Sequence, residues 1–259
     1  MHESADNSVE SVPLANNSRM ASATDDSRNI IPDSRESQTQ NEWLVWQLVD
    51  SAFPTGSFAH SNGLEAAWQH GEVCSCQDLT EFVQTQLAQA GRAALPFLNE
   101  AYHDVRPFAE LDRICDAFLS NHVANRGSRA QGQAFLMAVA QSFGGASLGE
   151  YRSEVLKQKL PGHLAPVFGT AMRLLHVSHC VAVRLFLFLN IRTLLASAVR
   201  LGITGPMAAQ AIQVGLCQYA EEVALRCGRL RAGEAAQTAP LLELWQGAHD
   251  RLYSRLFQT

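Results

Sequence analysis

The stretch F-P-T-G-S-F-A-H-S-N-G-L-E, Phe53 to Glu65, places a serine, a histidine and a carboxylate close together along the chain. Ser57, His60 and Glu65 are the residue types that act as nucleophile, base and orienting acid in acyl transfer. Ser57 and His60 are one helical turn apart, so they could touch. The stretch lacks a G-x-S-x-G elbow, however, and no strand runs into it to present the serine. Helix capping explains Ser57 with fewer demands. Pro54 sets φ at a first turn corner, Gly56 tolerates positive φ, and Ser57 then falls at the N-cap of a following helix. On this reading His60 and Glu65 are packing or partner-contact residues.

Two other clusters carry metal-ligating types. His176, His179 and Cys180 stand at i, i+3 and i+4, and His70, Cys74 and Cys76 form H-x3-C-x-C. Neither has a common closed zinc spacing, and cysteine also serves as a small core hydrophobe. Both read as packing, and no metal or cofactor site is expected. Lys157 and Lys159 are the only lysines, and no Gly-Lys-Ser/Thr occurs. A phosphate-cradling loop is therefore missing, and any nucleotide chemistry would belong to another protein. Glu221 and Glu222 are adjacent, point to different parts of a helix surface and read as solvated.

The elements that hold these residues have helical period from residue 41 onward. Leu111, Ile114, Cys115, Phe118, Leu119 and His122 form one stripe. Leu79, Phe82, Val83, Leu87 and Ala90 form another, with Asp78 as the expected N-cap. Leu241, Leu244, Trp245, Ala248, Leu252 and Leu256 repeat the pattern near the C-terminus. Further helices are expected near 42–49, 58–70, 93–105, 128–143, 164–175, 178–201 and 205–227, punctuated by Gly144-Gly145, Pro161-Gly162 and Gly202. The expected fold is all-α: a single compact domain of roughly ten helices over 41–259, preceded by a disordered tail over 1–40.

Composition narrows the function. Residues 1–40 carry seven acids, three arginines, eight serines and no aromatic residue. Such a segment cannot bury enough apolar surface to offset its ordering entropy. It supplies −4 of the net charge of −5, so the remaining 219 residues are near neutral. That leaves no electrostatic footprint for nucleic acid. Its acids also argue against a transit peptide, and no secretory h-region is present. The most apolar stretch, Val177 to Leu201, is interrupted by Arg184, Asn190, Arg192 and Arg200; a bilayer needs about 20 apolar residues, so a core helix is expected and not a membrane span. The six cysteines show no disulfide framework and read as reduced cytosolic thiols. With only 17% charged residues, the surface leaves apolar area for partners.

Three segments together resemble one family. Phe53–Glu65 is similar to the signature turn of the urease accessory protein F family, L-P-x-G-(G/S)-F-(A/S)-(Y/H)-S-x-G-L-E. Gly162-His163-Leu164-Ala165-Pro166-Val167-Phe168-Gly169 is similar to its G-H-x-P-x-V-x-G. Pro240-Leu241-Leu242-Glu243 and the run His249-Asp250-Arg251-Leu252-Tyr253-Ser254-Arg255-Leu256-Phe257 are similar to its C-terminal P-L-L-(D/E)…H-E-x-L-Y-S-R-L-F. The resemblance runs from about Trp43 to Gln258. It departs at Thr55, where a small aliphatic is common, and at Ile203-Thr204-Gly205-Pro206, where the family has P-L-G-Q.

The resemblance implies an all-α, dimerising, non-enzymatic chaperone. Such proteins join the D-type accessory protein (H-type in some species) and recruit a G-type GTPase, and the assembly delivers nickel to apo-urease. It implies partner-binding roles for Tyr253, Arg255, Leu256 and Phe257, with Arg255 foremost, and for Arg200 in the matched A-V-R-L-G segment. The alternatives are a regulator of the partner's GTP hydrolysis, using Arg255 or Arg200 in trans, and a serine or metal hydrolase using Ser57 or His179.

Overall fold

The computed structural model describes the backbone of residues 34–259 and the side chains from Glu42 onward. The disordered tail expected over 1–40 lies, as far as residue 33, outside the described residues. From Ser34 the chain is already helical: α1 spans Ser34–Val49, so the helix expected at 42–49 starts earlier. Ten further helices follow: α2 (Leu64–Gln69), α3 (Cys76–Ala93), α4 (Leu95–Tyr102), α5 (Phe108–Phe118), α6 (His122–Ser142), α7 (Ala146–Lys157), α8 (Leu164–Leu174), α9 (His179–Arg200), α10 (Pro206–Cys227) and α11 (Pro240–Ala248). No strand occurs among the described residues.

Two short helices form the centre. In α4 every residue from Leu95 to Ala101 is buried, and in α8 every residue from Ala165 to Met172. A helix apolar on all sides needs neighbours all round, and α8 packs against α4, α6, α5, α9 and α7. The α4–α8 contact depends on Gly169, where a Cβ would collide with the carbonyl oxygen of Leu98. Helix α9 is long and apolar enough to cross a membrane by length and composition alone. In the fold it packs against α10, α3, α4 and α8.

Buried polar groups tie these layers together. Asp112 on α5 accepts from the N–H groups of Gly162 (2.7 Å) and His163 (2.9 Å), fixing the start of α8. Burial pushes its carboxyl above the usual range, against the pull of those two hydrogen bonds. Asn99 on α4 donates to the carbonyls of Cys227 and Leu230 at 3.1 and 2.9 Å. Its Oδ1 lies 2.9 Å from His179 Nε2 at the start of α9.

Several expected boundaries move, each for a local reason. The α5 stripe ends at Phe118, because Asn121 caps the next helix by accepting from Val123 and Ala124 N–H. His122 therefore belongs to α6. Ser75, not Asp78, is the N-cap of α3: its Oγ accepts from Asp78 N–H at 3.1 Å while Asp78 accepts from Ser75 N–H at 2.9 Å. Helix α7 has no counterpart in the periodicity, since only Leu148 and Val155 are buried on it. On α11 the expected core stripe fails. Leu242 is the buried residue, Leu241 and Leu244 are 65% and 64% exposed, and a 3-10 turn over His249–Arg251 carries Leu252 and Leu256 off the helix face.

Candidate docking site at the signature turn and C-terminal segment

The signature turn is not one helix. Gly56 takes φ 71° and stands at the N-cap position of a 3-10 turn over Ser57–Ala59, so Ser57 is not the cap. Its hydroxyl lies 2.9 Å from Thr55 Oγ1 instead. Asn62 (φ 52°) and Gly63 (φ 88°) then break the chain before α2 begins, dividing the helix expected over 58–70. A Cβ on Gly63 would meet Gln246 N of α11 at 3.1 Å, so glycine also permits that close approach.

This geometry separates Ser57, His60 and Glu65 and turns the last two toward the C-terminal residues. Glu65 is 2% exposed, and its carboxylate accepts from Leu256 N–H at 2.6 Å and Phe257 N–H at 3.2 Å. His249 Nε2 lies 3.3 Å from Glu65 Oε2. His60 Nδ1 is hydrogen-bonded to Thr259 Oγ1. The main chains also pair: Ser61 N–H donates to Thr259 O at 2.6 Å and Gln258 N–H to Ala59 O at 2.8 Å. Arg200 closes the other side, its guanidinium 4.4 Å from the centroid of the Phe257 ring and donating to the Phe58 carbonyl.

Electrostatics follow from the burial. Desolvation pulls the His60 imidazole down to about 4, with the nearby His249 and Arg126 acting in the same direction. His60 is therefore neutral at pH 7. Burial lowers His249 as well, against the opposing pull of Glu65. The Nδ1 of His249 is buried without a hydrogen-bond partner among the described residues.

Around this anchor the surface is mixed. Asp250 accepts from Arg126 at 2.8 and 3.2 Å and lies 3.1 Å from His122 Nε2 and 3.4 Å from Arg255 Nη1. Tyr253 is fully exposed and Leu256 half exposed, and Leu241 and Leu244 of α11 are exposed as well. Of the residues singled out in the sequence, Glu65, His60, Arg200, Leu256 and Phe257 thus meet at one site, with Tyr253 and Arg255 at its rim. His249, Asp250 and Thr259 belong to it too, as does Gln69, whose Nε2 donates to the Ser254 carbonyl at 3.0 Å; the sequence patterns assigned these four no role. The H-D dipeptide inside the C-terminal motif was the available signal for two of them.

The other candidates lie elsewhere. His179 stacks near Tyr102 and His103 and bonds Asn99, away from any triad with Ser57. Arg184 donates to Cys180 Sγ. Cys74 Sγ lies 3.3 Å from the Gly71 carbonyl, Cys76 Sγ 3.5 Å from Thr204 Oγ1, and the His70 ring faces Trp245. Among the described residues, no group of three or more His, Cys, Asp or Glu is arranged to hold a metal ion.

The fold and this site define a protein that is all-α over its described residues and whose signature turn seats its own C-terminal segment. Sequence comparison gives the particular family. Residues 73–217 match the UreF family. The urease accessory protein F of Arabidopsis thaliana is 39% identical over 237 residues, covering 90% of this chain and 98% of that protein. The protein of the same name from Oryza sativa subsp. japonica is 36% identical, covering 88% of this chain and 89% of its own length. Urease accessory protein UreF of Arthrobacter sp. (strain FB24) is 32% identical, covering 82% and 95%. The chain belongs to the UreF family of urease accessory proteins.

Proposed function

We propose that this chain is a chaperone of urease maturation, non-catalytic in that role. It joins the D/H-type accessory protein and recruits the G-type GTPase, so that nickel, as cargo, is inserted into apo-urease. The observation that carries this reading is the seating of residues 254–259 on the signature turn. Glu65, His60 and Phe257 are buried there and act by fixing the segment's path, while Tyr253, Leu256 and Arg255 face outward as contacts. Arg200 both braces Phe257 and stays exposed at the margin. Aromatic and arginine side chains on a rigid mount are the groups that dominate interface energetics.

The site acts in the cytoplasm on this reading, in keeping with six free cysteines. A homodimer is supported by the outward face of α10, where Met207, Val214 and Leu225 are 82%, 74% and 71% exposed. The test is Tyr253→Asp in the full-length chain. Its helical circular dichroism and melting stay as in the parent, while co-purification with the D/H-type protein and the GTPase falls at least tenfold. Undiminished co-purification overturns the proposal.

A second reading, regulation of the partner's GTP hydrolysis, is favoured by Arg255. Its ion-pair contact within the chain is 3.4 Å from Asp250, which leaves the guanidinium free to be redeployed. Single-turnover hydrolysis in the assembled complex separates the two readings: an Arg255→Ala rate equal to the parent's removes the arginine-finger version.

A further inference from the structure

The Ser/His/acid constellation sought at Phe53–Glu65 is assembled elsewhere in the fold. Ser128 on α6 has its Oγ 3.1 Å from His163 Nδ1, and His163 Nε2 lies 3.0 Å from Asp116 Oδ1 on α5. Asp116 holds the ring proton on Nε2, so Nδ1 presents its lone pair to the serine hydroxyl. The ring nitrogens are exchanged relative to the serine-protease arrangement, but the order of nucleophile, base and orienting acid is kept. His163 is fully buried and its own N–H is held by Asp112, which fixes the ring's position. Burial keeps the imidazole below its ordinary value, against Asp116 and Asp112, so the neutral, proton-accepting form prevails.

Two further features point to a ligand. Leu164 N–H, at the start of the eleven-residue α8, donates to Ser128 Oγ at 3.3 Å. The next N–H, of Ala165, has no intrahelical acceptor because it lies in the helix's first turn. Ser128, Leu164 and Ala165 all line one cavity of about 160 Å³. Its walls carry the carboxamides of Asn62, Gln86, Gln131 and Asn190, the carboxylate of Glu243 and no cationic side chain, which disfavours an anionic guest. That volume is in the range that holds a benzene-sized molecule, and such walls suit an uncharged, hydrogen-bonding guest.

We propose that Ser128, His163 and Asp116 form a nucleophilic site for the acyl group of a small uncharged carboxylic ester. Ser128 Oγ attacks the carbonyl carbon and its proton passes to His163 Nδ1. The oxyanion forms beside the N–H groups of Leu164 and Ala165. The C–O bond to the leaving alcohol then breaks, and His163 returns the proton to that oxygen. Water repeats the sequence on the acyl-serine, releasing the carboxylic acid and restoring the hydroxyl. Asp116 is a positioning residue. The cavity also reaches Asn62, Gly63 and Thr259, so this site adjoins the seat of the C-terminal segment, while its chemistry is independent of the maturation role.

The full-length chain is incubated with p-nitrophenyl acetate and digested for peptide mass analysis. The expected result is acetyl on the peptide containing Ser128, blocked by prior phenylmethylsulfonyl fluoride. Ser128→Ala abolishes that label and lowers p-nitrophenol release on the order of 10²-fold or more. Asp116→Asn lowers the rate about 10²–10⁴-fold and moves the inflection of the pH–rate profile to lower pH. The charged groups facing His163 are Asp112, Asp116 and Arg129, and only the first two raise its basicity. If Ser128 merely caps α8, the wild-type chain carries no acetyl or sulfonyl group on Ser128 and Ser128→Ala only melts earlier; that result overturns the proposal. So does release that persists undiminished in Ser128→Ala. The sulfonyl label on the wild-type chain keeps the test decisive where the variant fails to fold.

Discussion

Glu65 is the side chain on which the C-terminal segment depends most. A buried carboxylate is costly unless its lone pairs are filled, and here two main-chain N–H groups and His249 fill them. In Glu65→Gln the shape is kept, but an NH₂ now faces an N–H donor. Hydrogen bonds to a charged group are worth about 1.5–3 kcal/mol each, yet the segment can escape to water, so the chain releases its C-terminus before it unfolds. Hydrogen exchange at the Leu256 and Phe257 amides is expected to accelerate at least tenfold while α4 and α8 amides stay protected. Unchanged protection would falsify this account. His60 adds a pH dependence with a definite sign. Its imidazole titrates near 6.5 when unfolded and about 4 when folded. Between those values the unfolded chain binds more protons, so stability is full above about pH 6.5 and declines as pH falls toward 4, by at most about 3 kcal/mol. His60→Gln should flatten that slope in melts between pH 7 and 4. A slope as steep as the parent's would mean that another group is responsible.

Among the elements, α4 and α8 show how much the fold demands of single residues. Gly169 lets the two buried helices approach, and Gly169→Ala drives a methyl group into the Leu98 carbonyl. Overpacking of this kind costs about 1–3 kcal/mol, which at roughly 2–4 °C per kcal/mol lowers melting by several degrees. A variant that melts with the parent would show that the helices can separate freely. The periodic elements were readable in advance for the same reason that they are stable. Residues 164–175, 178–201 and 205–227 carry long apolar patterns bounded by turn residues, and α8, α9 and α10 form there. Helix α7 was missed because two buried residues make too thin a stripe. Leu241 and Leu244 were misplaced because their spacing fits a core-facing helix, whereas Leu242 points inward and the two leucines meet solvent. The site was half legible. Phe53–Glu65 stood out as a motif because its residues are neighbours in sequence. Its purpose was hidden because the groups it holds lie 184 to 199 residues away, and spacing says nothing about a contact of that range.

In the molecule as a whole, one side of α10 is left facing solvent. This helix packs through Ala209, Leu216, Val223 and Cys227 and turns Met207, Val214 and Leu225 outward. Residues 207, 214 and 225 recur at intervals close to whole helical turns, so they share a side. Glu221, Glu222 and Arg226 are its only charged residues, and Glu221 is committed to Arg184 of α9. An apolar helix face of this kind suits permanent association. A second copy is the occupant expected here, since a two-fold interface can pair the same face with itself and needs no complementary charge. Val214→Arg places a cation at the middle of that face without touching the core. Light scattering after gel filtration is expected to give a dimer mass for the parent and a monomer mass for the variant, with melting of the dilute proteins converging. A dimer mass for Val214→Arg would move the self-association surface off α10 and leave that face to another protein.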